Sequence, residues 1–143
     1  MSLKQRKILS VLKSHSEECE QNLNEKLGTS FSYDIDWSVV PDDAAGWNWE
    51  NDDLKVLFYN SFYLPFERGL SELFSDEFYK EEIMKQVKTI RLAPGRSMLA
   101  DYEFSDGVMT SKHTMSVNQG GDGGSMMNSF VKNLKDTVEN SLE

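Results

Sequence analysis

The chain has 143 residues, 38% hydrophobic and 11% aromatic, with 15 basic against 24 acidic side chains and a net charge of -9. That length suits one domain with a real core, and the apolar content is too high for a disordered chain. The acid excess disfavours nucleic acid and anionic membranes, which are gripped through Lys and Arg, and leaves a basic protein as the partner the charge would steer.

Cys19 is the only cysteine, so no internal disulfide can form and a reducing compartment is expected. The basic N-terminus (Lys4, Arg6, Lys7) has an apolar run too short for a signal-peptide core, and no stretch is long enough to span a bilayer. The expectation is a cytoplasmic protein.

Residues 3–27 read as a helix. Ile8, Leu12, His15, Cys19, Leu23 and Leu27 recur at steps of three and four, and Gly28 is placed to end it. His15 and Cys19 lie one turn apart, but two ligands do not make a metal site and both fit the buried stripe. A strand is expected next. Phe31, Tyr33, Ile35, Trp37 and Val39 alternate with Ser32, Asp34, Asp36 and Ser38 until Pro41.

The stretch 31–53 is the most distinctive in the chain. It holds all three tryptophans (Trp37, Trp47, Trp49) and the acids Asp34, Asp36, Asp42, Asp43, Glu50, Asp52 and Asp53, with no Lys or Arg between Lys26 and Lys55. Residues 41–53 read as a loop in which Trp47 and Trp49 are either exposed anchors or fold back onto the edge of the core. Tryptophan anchors inside a polar rim are the composition of interface hot spots. A calcium loop is the other functional reading. The Asp-x-Asp at Asp34 lacks the residues that complete an EF-hand, and a strand would not wrap both acids around an ion, so no metal is expected.

Residues 54–63 are apolar without a clear period. Pro65 then opens a helix with the stripe Phe66, Leu70, Leu73 and Phe74, and Ser75 is the expected cap of another, whose buried side would be Phe78, Tyr79, Ile83, Met84 and Val87. A short strand, 89–92, stops at Ala93-Pro94-Gly95. Residues 98–104 and 108–117 form a β-hairpin through Asp106-Gly107, a type I′ turn pair. A two-residue loop pairs Ser105 with Val108, Phe104 with Met109, Tyr102 with Ser111, Ala100 with His113 and Met98 with Met115. Asp101 and Glu103 then face Lys112 and Thr110 on the opposite side. The glycine-rich 118–125 segment matches no phosphate-binding spacing and reads as a connection. Ser125 would cap the last helix, with the stripe Met127, Phe130, Val131, Leu134, Val138 and Leu142.

No nucleophile–histidine, metalloprotease or paired-cysteine motif is present, and no cofactor is implied. The expectation is a single α+β domain over 1–143, in which helices cover one face of a small antiparallel sheet built on the 98–117 hairpin. Size, acidity and this build are similar in general character to the small bacterial immunity proteins that inhibit nuclease toxins, with no family motif to carry the likeness. It implies a non-enzymatic binding protein that neutralises a basic, nuclease-type toxin through Asp42, Asp43, Trp47, Trp49, Glu50, Asp52 and Asp53. An interaction module with a non-toxin partner is the alternative, and an orphan enzyme the third.

Overall fold

In the computed structural model, which describes residues 1–95, 100–116 and 124–142, the long N-terminal helix α1 spans Leu3–Leu27. Ser2 starts it by accepting a hydrogen bond from the Gln5 N–H at 3.1 Å, and Gly28 ends it in the left-handed conformation at φ 67°. Its buried stripe is Gln5, Ile8, Leu12, Ser16, Cys19, Leu23 and Leu27. Ser16 takes the position that the spacing assigns to His15. His15 is half-buried and lies 3.4 Å from the Glu18 carboxylate.

Strand β1 is shorter than the alternation predicts, covering Ser32–Ile35. The Asp36 carboxylate accepts from both the N–H and the hydroxyl of Ser38, at 3.0 and 2.6 Å, and turns the backbone into a 3₁₀ turn over Trp37–Val39. An aspartate that bonds its own backbone two residues on competes with the β ladder, which is why the strand stops there. A second 3₁₀ segment spans Asp42–Trp47 and helix α2 covers Asn51–Phe62, so 41–53 is not an open loop and the unresolved period of 54–63 is helical. Two more helices follow, α3 at Leu64–Leu73 and α4 at Glu77–Gln86. Asp76, rather than Ser75, caps α4 through the N–H groups of Phe78 and Tyr79.

Three strands complete the sheet: β2 (Thr89–Ala93), β3 (Asp101–Ser105) and β4 (Val108–Lys112). Helix α5 (Gly124–Leu142) ends the fold and starts before Ser125, which is therefore inside the helix. The architecture is α+β, but the sheet is not the antiparallel one expected. Its order is β1-β2-β4-β3, with β1–β2 and β2–β4 parallel and only β3–β4 antiparallel. The helical excursion α2–α4 between β1 and β2 supplies the long crossover that a parallel pair needs. Side-chain alternation carries no information about strand direction, so the sequence pattern was compatible with either sheet.

The hairpin holds its expected register. Ser105, Phe104, Tyr102, Glu103 and Asp101 face Val108, Met109, Ser111, Thr110 and Lys112. Asp106 and Gly107 take φ 53° and 81°, as a type I′ turn requires. The expected Met98–Met115 pair involves a residue outside the described ones, as do Val117 and the glycine-rich connection 118–123. Beyond Lys112 the chain leaves β3, so the expected Ala100–His113 pair is not part of the ladder, and the His113 N–H donates to the Ala93 carbonyl at 2.8 Å. The Met115 N–H donates instead to the Val39 carbonyl at 2.8 Å, tying the hairpin to the first 3₁₀ turn.

One core joins these elements. Leu12, Leu23, Phe58, Phe62, Phe66, Ile90, Leu92, Phe130 and Leu134 are almost wholly buried. The His113 ring packs between Phe62 and Phe130 in T-shaped contacts, with centroids 5.4 and 4.9 Å away. The opposite face of the sheet is polar and carries ion pairs between Asp34 and Arg91 and between Glu103 and Lys112. On α4 the expected buried side is only partly buried. Ile83 and Val87 face the core, whereas Phe78 and Met84 are 53% and 40% exposed.

Candidate protein-binding surface

The three tryptophans do different things. Trp37 stacks on Phe58 with centroids 5.7 Å apart and planes 10° from parallel, and the Lys13 ammonium lies 5.8 Å above its ring. It belongs to the edge of the core. Trp47 and Trp49 are half-buried, pack against the core and meet each other at 6.4 Å. Between them Asn48 takes the left-handed conformation at φ 56°, which a short polar side chain tolerates. The bend brings the two indoles together, so they are neither free anchors nor fully buried.

The acids fall into two groups. Asp42 and Asp43 open the second 3₁₀ segment, and Asp52 and Asp53 occupy the first turn of α2 just after Glu50. Acids in a first turn complement the helix dipole, so Asp52 and Asp53 have a structural role in any case. All five are exposed, and among the described residues none is ion-paired. Of the seven residues singled out by sequence, Trp49, Glu50 and Asp53 come together in one groove of about 400 Å³, completed by Asn48 and Val56. Trp47 does not line it but contacts Trp49, which does.

Sequence reasoning missed Val56, which is 54% exposed and supplies the groove's aliphatic patch. It also missed Asn48, whose conformation makes the bend, and Lys4, whose ammonium donates to the Asn48 side-chain oxygen at 2.7 Å. A Lys–Asn contact across that much chain leaves no mark in the local pattern.

Elsewhere, burial raises the thiol and several phenols of the interior. Burial, then the nearby Glu20 and Glu18, pushes the Cys19 thiol up to about 12. Burial likewise raises the Tyr33, Tyr59 and Tyr63 phenols well above the ordinary range, with the Tyr59 hydroxyl donating to Glu67. Among the described residues no group of three or more His, Cys, Asp or Glu is arranged to hold a metal ion, and Asp34 and Asp36 are taken up by Arg91 and Ser38. No described helix is long and apolar enough to cross a membrane. Set against protein-family models, curated proteins and solved structures, the chain matches none of them.

Proposed function

We propose that the protein is a non-enzymatic binding protein whose 42–53 segment meets a basic protein partner, most concretely as a cytoplasmic immunity protein that neutralises a nuclease-type bacterial toxin. The observation that carries the reading is the half-buried Trp47–Trp49 pair with Glu50 and Asp53 in one groove on Trp49, on a segment whose five carboxylates are all exposed and free of ion pairs among the described residues. Aromatic anchors give a contact its affinity, and unpaired acids at its rim give it a fast encounter and a preference for positive charge. A nuclease cleft is built to receive phosphate, and a rigid acidic face can occupy it by presenting the same charge.

The test is capture from the source cell with mass-spectrometric identification, followed by a nuclease assay on whatever basic protein is caught. The proposal expects capture by the wild type, inhibition of the captured nuclease, and loss of both in Trp49→Ala and in Glu50→Gln/Asp53→Asn. Capture of a basic protein without nuclease activity would replace the toxin with a regulatory partner. Equal capture by wild type and variants would remove the 42–53 segment from the contact.

A further inference from the structure

Trp49 also forms one wall of a second groove, on the side facing α1. It encloses about 380 Å³, within the range of small-molecule sites. Ile8, Val11, Ala44 and Ala45 supply apolar lining, while Lys4 and Lys7 project from the first turns of α1. Residues three apart on a helix share a face, and both lysines line the same groove. In a chain with 24 acids against 15 bases, neither lysine is ion-paired to a described residue. Lys4 spends one donor on Asn48 and keeps two, and Asn51 adds an amide at the start of α2.

We propose that this groove is a binding site for a small aromatic monocarboxylate, the ring against the Trp49 indole and the apolar lining, the carboxylate on Lys4 and Lys7. The indole wall and apolar lining favour a flat hydrocarbon body, and the unpaired ammonium pair favours an anion. Glu50 and Asp53 line the neighbouring groove on the same tryptophan and weaken the pull of the lysines on any anion, so charge alone should not hold a ligand and the apolar body must contribute. This inference does not depend on the protein-partner reading, because its test uses the protein alone.

The experiment is a titration of the full chain, followed by two-dimensional amide and indole NMR, with 3-phenylpropionate, its neutral amide 3-phenylpropionamide, and inorganic phosphate as probes. The expected result is a saturable shift of the Trp49 indole N–H and of the Lys4 and Lys7 amides with the carboxylate. Binding should be on the order of tenfold weaker with the amide, the size of one exposed charge-assisted contact, and phosphate alone should not saturate. Lys4→Gln/Lys7→Gln should bring the carboxylate down to the affinity of the amide. Equal binding of carboxylate and amide, saturation by phosphate alone, no saturation with any probe, or carboxylate binding that survives the double substitution would each overturn the proposal.

Discussion

The polar face of the sheet and the 42–53 segment are both rich in charge, but they dispose of it differently. On the sheet, Asp34 lies 3.5 Å from Arg91 and Glu103 is bonded to Lys112, so acids and bases cancel across neighbouring strands. Along 42–53, five acids lie exposed with no ion-pair partner among the described residues, and Lys4 and Lys7 open onto a different groove on Trp49. Charge that is cancelled internally is available for solubility and little else. Charge left uncancelled beside an aromatic pair creates a field that a complementary partner can use. The difference is what makes one region scaffold and the other a candidate contact.

The comparison breaks most severely if the scaffold under the segment is removed. Phe58 is fully buried, stacked on Trp37 and packed against Phe62 edge-on and against the tilted Tyr63 ring, so Phe58→Ala should cost about 3–5 kcal/mol. Urea denaturation measures this, and a cost below about 1 kcal/mol would mean that the core beside the segment, where Trp37 stacks on Phe58, is not packed as described. A smaller effect is expected at the hairpin turn. Gly107 at φ 81° is strained by any side chain, and Gly107→Ala should cost about 1–2 kcal/mol by the same measurement.

A third effect is sharper in sign than in size. Burial, with Glu17 beside it, raises the Glu20 carboxyl above its ordinary value. The folded state therefore holds that proton more tightly than the unfolded chain, and stability falls as pH rises from the ordinary carboxylate range through the raised one. Glu20→Gln should increase the melting temperature near neutral pH and leave it nearly unchanged below the carboxylate range; an equal gain at both would assign the effect to packing. Smallest of all should be Asp42→Asn/Asp43→Asn, within about 0.5 kcal/mol of the wild type, because neither acid is ion-paired. That pair sharpens the contrast, since it is expected to change binding while leaving the fold alone.

How far each region was legible from sequence follows the range of the interactions that shape it. The register around the hairpin turn was read to the residue because Asp106-Gly107, the alternation of Tyr102, Phe104 and Met109, and the turn length are all local and agree, although the strands expected over 98–104 and 108–117 pair only over 101–105 and 108–112. The helices α1, α3 and α5 were legible from their stripes for the same reason. The parallel pairings of β1, β2 and β4 were not, because alternation identifies a buried face without naming the neighbour or its direction. Phe78 and Met84 were misplaced because a cluster of apolar residues on a short helix does not say which of them the rest of the fold covers. Within the candidate surface, composition pointed to Trp49, Glu50 and Asp53. Their company with Val56, and the Lys4 contact to Asn48, come from tertiary packing alone.

The central claim is that uncancelled charge on 42–53, rather than acidity in general, makes the contact. Capture from the source cell should therefore compare the wild type with two variants: Asp42, Asp43, Asp52 and Asp53 changed to Asn, and, as a control on the sheet face, Asp34→Asn/Asp101→Asn/Glu103→Gln. The account predicts a basic protein captured by the wild type and by the sheet-face control and lost from the segment variant. Equal capture by all three, or equal loss from both variants, would contradict it.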